Sequence, residues 1–165
     1  MAFLLLAAPA RAEVSPELRV KIMLTALGFD RSLASGDSLE VVIGVYGECP
    51  AGENLRQAVG KKINGKSISV DKITEANYAG LEKSGVNVVY ICAIADADAK
   101  IVGKAAPRLG IAVLADDAGL VDSVALMGVR EQEGRPRLRL NMKIAKAAQI
   151  DFDPRILGNA EVVAE

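Results

Sequence analysis

The sequence contains no histidine and no tryptophan, and aromatic residues make up only 4 % of its 165 positions. Without histidine, the chain lacks the most common general base, the Ser-His and Cys-His nucleophile pairs and the most common zinc ligand. The patterns G-x-S-x-G and C-x-x-C are also absent. These absences favour a protein that is not an enzyme, and we expect no catalytic residue, no cofactor and no metal ligand.

An excess of charge of either sign is also lacking. The chain has 20 basic and 21 acidic side chains, which leaves a formal net charge of -1. Proteins that bind nucleic acids hold the phosphate backbone with an excess of clustered basic residues. The balance of charges therefore argues against nucleic acid as a partner.

No apolar run is long enough to cross a bilayer, so we expect the chain not to span a membrane. Residues 1–12, MAFLLLAAPARA, form a short apolar segment that ends in the small-x-small pattern of a signal-peptidase site. The positive charge that normally begins a signal peptide is missing, and a buried first helix is the alternative. We predict a truncated signal peptide at 1–12 and a single exported domain at 13–165.

The hydrophobic residues, 51 % of the chain, are mostly Val, Ile, Leu and Ala, as in a buried parallel sheet covered by helices. Ser15 as N-cap and Pro16 at the first helical position predict a helix over 16–27. Beyond it, apolar strands alternate with helices. The predicted strands are 39–47, 66–73, 86–94 and 111–115, and the predicted helices are 53–62, 74–85 with Thr74 as N-cap and Gly85 as stop, and 97–108.

Alternation of this kind requires crossover connections. It predicts an α/β fold with an open, mainly parallel sheet in three layers, similar to the flavodoxin and Rossmann folds. The pattern then changes, because residues 124–142 form two segments of period 2 around Glu133 and Gly134. We predict a C-terminal antiparallel β-hairpin here, followed by a short final helix over 143–149 and a tail that contains Pro154.

Residues 60–67, GKKINGKS, have the glycine, lysine and serine spacing of a phosphate-binding P-loop. A P-loop follows a strand and begins a helix, so that backbone N–H groups converge on phosphate. Here a predicted helix precedes Gly60 and a predicted strand begins at Lys66, so the amides of Lys66 and Ser67 would be used in sheet pairing. We predict a turn over 63–66 between helix and strand, and a nucleotide-binding enzyme is the least favoured function.

Acidic residues follow two predicted strands, with Asp96 and Asp98 after the third and Asp116 and Asp117 after the fourth. The carboxyl ends of parallel strands border the crevice in which α/β proteins bind ligands, so these side chains would suit a divalent cation or a small ligand. Helix capping and turn formation explain the same residues, and this is the interpretation that we favour.

The two cysteines, Cys49 and Cys92, lie near the carboxyl ends of the first and third predicted strands. These strands are neighbours in the flavodoxin-like order, which makes a disulfide geometrically feasible. The alternative, in which Cys92 is a small buried residue and Cys49 is a free surface thiol, agrees equally well with burial statistics. Export slightly favours the disulfide.

Three arginines, Arg135, Arg137 and Arg139, alternate along the second strand of the predicted hairpin and so share one face. They would contact an acidic partner surface. Charges at such positions more often protect an edge strand from aggregation.

Four segments together resemble the YfiR (HmsC-like) family of periplasmic regulators. The clearest is RPRLRLNMKIAKAAQIDFDPRIL, in which a basic, apolar strand ends in asparagine and is followed by an Ala-rich helix and a short apolar link. GKKINGKSISV, VNVVYICAI and GIAVLADDAGLV are similar to three earlier segments of that family. The resemblance extends over about residues 39–160.

The resemblance implies a periplasmic homodimer without enzymatic activity. Such a protein would bind and repress the periplasmic sensor part of an inner-membrane diguanylate cyclase and so lower cyclic di-GMP and biofilm formation. The exposed side of the 16–27 helix and the strand of Arg135, Arg137 and Arg139 are the expected contact surfaces. The alternative is a periplasmic small-ligand-binding domain that uses the crevice near Asp96 and Asp116.

Overall fold

A computed structural model describes residues 13–164, in which one eight-stranded sheet is packed between helices. The predicted signal peptide at 1–12 lies outside the described residues and stays a prediction. The helices are α1 (Pro16–Leu27), α2 (Arg31–Ser35), α3 (Pro50–Arg56), α4 (Tyr78–Ser84), α5 (Asp96–Ala105) and α6 (Met142–Ala147). The strands are β1 (Glu40–Tyr46), β2 (Lys62–Ile63), β3 (Lys66–Ile73), β4 (Val88–Ile91), β5 (Ala112–Ala115), β6 (Met127–Gln132), β7 (Arg135–Asn141) and β8 (Ala160–Ala164).

The strands are ordered β2-β3-β1-β4-β5-β6-β7-β8 across the sheet. Strands β3, β1, β4, β5 and β6 are parallel to one another, whereas β2 pairs antiparallel with β3, and β7 pairs antiparallel with β6. The predicted α/β fold with a mainly parallel sheet and an antiparallel hairpin is therefore confirmed. The five parallel strands follow the flavodoxin-like order.

Each face of the sheet has its own apolar core. On one face, Tyr90 and Leu114 pack with residues of α1, α3 and α6, and on the other, Val89 and Val113 pack with residues of α4 and α5. Strands β4 and β5 are buried on both faces, which explains why their sequences are almost entirely apolar. Among residues 13–164, no helix combines the length and the apolarity that crossing a membrane requires.

Capping residues set the ends of the helices. The Ser15 side chain accepts a hydrogen bond from the Leu18 amide at 3.3 Å, and α1 spans the predicted range. The prediction of Thr74 as an N-cap is wrong, because Asn77 accepts from the Gly80 amide at 2.9 Å and α4 begins only at Tyr78. Asparagine is the stronger N-cap residue of the two. Gly85, in the left-handed conformation, ends α4 as predicted.

The C-terminal tail contains a strand that was not expected from the sequence. After a 3₁₀ segment at Pro154–Asn159, β8 pairs parallel with β7, with Ala160 opposite Leu138 and Glu161 opposite Arg139. The second half of β7 is therefore an inner part of the sheet, and β8 forms the edge.

Candidate functional site

The octapeptide at 60–67 belongs to a hairpin between β2 and β3. Asn64 and Gly65 both have positive φ angles, 51° and 79°, as a tight type I′ turn requires. The Ser67 amide donates to the Leu39 carbonyl at 3.1 Å, so it is used in sheet pairing. The segment therefore lacks the strand, loop and helix of a P-loop. The predicted turn at 63–66 is present, and it joins two strands where a helix-to-strand connection was expected.

The acidic residues expected at the crevice do not form one cluster. Asp96 and Asp98 lie in the first turn of α5, where negative charge is favourable, although the N-cap residue itself is Ala95. Asp117 accepts a hydrogen bond from the Gly119 amide at 2.8 Å and begins a 3₁₀ segment. Within the described part of the chain, no group of three or more His, Cys, Asp or Glu residues has a geometry suited to a metal ion.

Asp116 has a different role, because it links α1 to the carboxyl end of the sheet. Its Oδ1 accepts from Arg19 Nη1 at 2.6 Å and from the Tyr90 hydroxyl at 2.7 Å. The side chains of Arg19 and Asp116 are only 16 % and 22 % exposed, and a second nitrogen of Arg19 donates to the Val14 carbonyl at 3.2 Å. We call Arg19, Tyr90 and Asp116 the carboxyl-end triad.

The electrostatics of the carboxyl-end triad are those of a structural ion pair. Burial, followed by the hydrogen bond to Asp116, raises the pKa of Tyr90, so the phenol stays protonated and donates. Burial by itself would lower the pKa of Arg19, but the hydrogen bond and the charge of Asp116 outweigh it and raise that pKa. The triad thus places an arginine of α1 over the carboxyl ends of β4 and β5.

Neither Arg19 nor Tyr90 is predicted from the sequence as a residue of the site. A tyrosine inside an otherwise apolar strand is a usable signal, because a buried hydroxyl needs a hydrogen-bond partner. Arg19 carries no such signal, since it lies on a helix with other charged residues around it and only the packing of α1 on the sheet brings it to Asp116.

Cys49 and Cys92 are joined by a disulfide in the structure, with their Cα atoms 5.5 Å apart. Cys49 precedes α3, and Cys92 directly follows β4. Strands β1 and β4 are paired neighbours, with Tyr46 opposite Ile91, as the flavodoxin-like order requires. The bond thus lies at the same end of the sheet as the carboxyl-end triad.

The three arginines of β7 share one face but differ in their surroundings. Arg139 is only 7 % exposed, and its guanidinium donates to the Ala118 carbonyl at 2.7 Å and to Asp122 at 2.9 Å. A third contact, 3.4 Å long, joins its Nε to Glu161 on β8. The expectation that Arg139 contacts a partner is therefore corrected, because its guanidinium is used inside the protein.

Arg135 and Arg137 remain exposed at the free end of the hairpin. They precede the part of β7 that pairs with β8, which begins at Leu138. Of the three arginines, only these two lie in a stretch of β7 that is unpaired on one side within the described residues. The edge-protection interpretation therefore applies only to them.

The opposite face of the same hairpin contributes to an apolar groove of about 440 Å³. Pro136 and Leu138 form one wall, and α1 together with Phe29 forms the other. Arg155 lies 5.8 Å from the centroid of the Phe29 ring at this groove, in cation–π geometry. We define the hairpin surface as Leu18, Ile22, Phe29, Pro136, Arg135 and Arg137.

Comparison with solved structures shows a likeness of fold. The chain is similar to a protein described as the ABC domain in complex with L-Trp from Streptococcus pneumonia, with a TM-score of 0.57 and 9 % sequence identity. The match covers 91 % of this chain but 62 % of the other, so this chain spans less than two thirds of that protein. At this identity the likeness shows the fold alone.

Comparison of sequences gives two further results. A search of curated proteins finds no match. The sequence profile of the family described as YfiR/HmsC-like matches residues 18–161, which is most of the chain and includes every strand from β1 to β7.

Proposed function

The chain belongs to the YfiR/HmsC-like family, and on this basis we propose that it binds and represses the periplasmic sensor part of an inner-membrane diguanylate cyclase. The family is regulatory and has a periplasmic role in cyclic di-GMP signalling. Repression of a cyclase would lower cyclic di-GMP and with it biofilm formation. The family match over residues 18–161 is the observation that carries the proposal.

Repression of this kind is a matter of differential affinity. A regulator shifts the activity of a cyclase only if it binds the inactive conformation more tightly than the active one. A shift from mostly active to mostly inactive cyclase needs about a 10⁴-fold preference for the inactive form. The regulator therefore needs a contact surface that distinguishes the two conformations.

We assign this contact to the hairpin surface. Leu18 is 39 % exposed and lines the mostly apolar groove, and Arg135 and Arg137 are exposed on the other face of the same hairpin. Interfaces combine an apolar centre with a polar rim, and arginine is enriched in them. A partner that contacts both faces of the hairpin, with an apolar side chain in the groove and acidic residues beside the two arginines, would be complementary.

We also propose that the protein is a homodimer and that residues 1–12 are a signal peptide that directs it to the periplasm. The Cys49–Cys92 disulfide would persist in that compartment. Export gives that bond the oxidising compartment that disulfides need. The homodimer rests on the family alone, and the molar mass of the purified protein in solution tests it.

The direct test is co-purification with an inner-membrane cyclase encoded near this gene, together with cyclic di-GMP measured with and without the gene. Deletion is expected to raise cyclic di-GMP, and expression of the gene in trans is expected to restore the lower level. Unchanged cyclic di-GMP together with no captured cyclase would contradict the proposal.

A matched pair of variants tests the contact surface. Leu18→Glu introduces a charge at the groove and is expected to weaken cyclase capture at least tenfold, because an unpaired charge at the centre of an interface is costly. Leu39→Glu makes the same change at a residue that is 88 % exposed and lies outside the hairpin surface, and it is expected to leave capture unchanged. Equal capture by the two variants would remove the hairpin surface from the proposal.

The two alternative functions have less support. A ligand site near Asp116 would compete with the ion pair to Arg19 and the hydrogen bond from Tyr90, both of which use the same carboxylate oxygen. A nucleotide site at Gly60–Ser67 would need a helix after the glycine-lysine segment, where β3 lies.

A further inference from the structure

A second cavity, of about 310 Å³, lies at the opposite end of the sheet from the carboxyl-end triad. Strands β1, β4 and β5 begin at this end, and α2 and the segment after α6 border the cavity. Much of the lining is apolar, with Val88, Ile111 and Ile150 among it. The volume is at the lower limit of small-molecule sites, so only a small ligand fits.

Lys66 is the unusual residue of this cavity, because it is buried without a counterion among residues 13–164. The residue is only 7 % exposed, and its Nζ donates to the Gly36 carbonyl at 2.5 Å. Among residues 13–164, no carboxylate lies within 4.0 Å of Nζ, since the described ion pairs all involve other residues. One hydrogen bond leaves two of the three ammonium donors unused by the described part of the protein. Lysine is rarely buried in this way unless it is paired.

Asn87 adds a second donor to the same cavity. Its side-chain oxygen accepts from the Val42 amide at 2.8 Å, which fixes the orientation of the side-chain amide. The two N–H groups of its Nδ2 have no acceptor among the described side chains and backbone. Lys66 and Asn87 both line the cavity, and a pair of N–H donors matches the two oxygens of a carboxylate.

The acidic residues at the cavity limit the charge of its ligand. Asp30 is buried at the lining, and Glu40 lies there as an exposed residue. Asp30 already accepts hydrogen bonds from the Leu33 amide and the Ser32 hydroxyl. The negative charges of Asp30 and Glu40 would repel a dianion more strongly than a monoanion.

We propose that this cavity binds a small organic monocarboxylate. The ligand's carboxylate accepts hydrogen bonds from Lys66 and Asn87, and its apolar body lies against Val88, Ile111 and Ile150. Lys66 belongs to the P-loop-like segment, and in this proposal it binds an anion. It does so through a buried side chain at the start of β3, whereas a P-loop holds phosphate with a cradle of backbone N–H groups. The proposal stands independently of the cyclase proposal, because no residue of the hairpin surface contributes to this cavity.

Three aromatic probes of similar size distinguish the chemistry of the site. Sodium benzoate, phenyl phosphate and benzyl alcohol are titrated into the ¹⁵N-labelled protein at neutral pH and followed by amide chemical shifts. Benzoate is expected to bind saturably in the millimolar range, with shifts at Lys66, Asn87 and Gly110, and at least tenfold more tightly than the other two.

Substitutions then test the part played by Lys66. Lys66→Met is expected to weaken benzoate binding at least tenfold, and Lys66→Arg is expected to retain it. Lys62→Met is the matched control, because Lys62 lies in the same hairpin but is exposed and outside the cavity. Ala148→Leu, which leaves every charge in place, is expected to weaken binding by filling the volume.

Specific results would overturn the proposal. These are the absence of saturable benzoate binding, equal binding of benzyl alcohol, tighter binding of phenyl phosphate, or shifts confined to residues outside the cavity. Equal losses in Lys66→Met and Lys62→Met would also overturn it. If Lys66→Met does not fold, the probe series with the unsubstituted protein and the Ala148→Leu variant decide the matter.

Discussion

The buried charged side chains at the two ends of the sheet differ in their partners. At the carboxyl end, Arg19 and Asp116 form an ion pair, and Tyr90 donates to the same carboxylate. At the amino end, Lys66 is buried against a backbone carbonyl and has no carboxylate within ion-pair distance among the described residues. The first arrangement holds helix and sheet together, and the second leaves donors available to a ligand.

The difference distinguishes buried charges that hold the fold together from buried charges that are available to bind a ligand. Where the partners of a buried charge all lie within the protein, removal of one partner leaves the others unpaired and destabilises the fold. A buried charge that lacks a partner adds little to stability, so its removal is expected to affect binding more than folding. The location in the fold where ligands usually bind, at the carboxyl ends of the strands, is here occupied by an ion pair.

The largest expected effect is at the carboxyl end, where Cys49 and Cys92 close a loop of 43 residues. Replacement of both cysteines by alanine is expected to lower the free energy of unfolding by about 3 to 4 kcal/mol, since the unfolded chain regains the entropy of that loop. Urea denaturation with and without reductant measures the change. The double variant serves as the control, because reductant should not affect it; an unsubstituted protein that is equally insensitive to reductant would contradict the prediction.

Next in size is Asp116→Ala, which is expected to cost about 2 to 3 kcal/mol, because it leaves Arg19 and the Tyr90 hydroxyl without their shared acceptor. Asp151→Ala is the matched control, since it breaks an ion pair to Arg31 in which both side chains are more than half exposed, and such pairs contribute about 0 to 1 kcal/mol. Urea midpoints of the two variants give the comparison. Equal losses would mean that the carboxyl-end triad is not a buried structural unit.

The smallest effect is expected at the amino end. Lys66→Met keeps the apolar stem of the side chain and removes a buried charge that has no counterion in the described part of the chain. The free energy of unfolding should therefore change by no more than about 1 kcal/mol. Thermal and urea unfolding check this value. A loss as large as that of Asp116→Ala would show that Lys66 has a structural role, and the contrast between the two ends would disappear.

Sequence patterns predicted the elements whose signals are local. Ser15 and Pro16 mark the start of α1 because the cap and the first helical residue act within a few positions. The glycine at 85 ends α4 because it adopts the left-handed conformation readily. Asn64 and Gly65 form the tight turn for the same reason. The family resemblance likewise depended on short, local segments.

Other features depended on contacts between distant parts of the chain. The segment that becomes β8 is short and has no distinctive pattern, and it forms a strand because β7 offers an unpaired edge beside it. Arg139 has the same sequence pattern as Arg137, yet β8 and the 3₁₀ segment at Ala118–Asp122 enclose only Arg139. The crevice residues were predicted from the fold, but the arginine that pairs with Asp116 comes from a helix 97 positions earlier in the chain.

The sequence by itself determined the fold class, the start of α1, the end of α4, the turn at Asn64 and Gly65, and the family, because periodicity and local conformational preference act over a few residues. The tertiary structure alone decided which charges are satisfied and which are free. Arg19, Arg139 and Lys66 each have other basic residues nearby in the sequence, and whether each meets a carboxylate depends on the packing of helices and strands that are far apart along the chain.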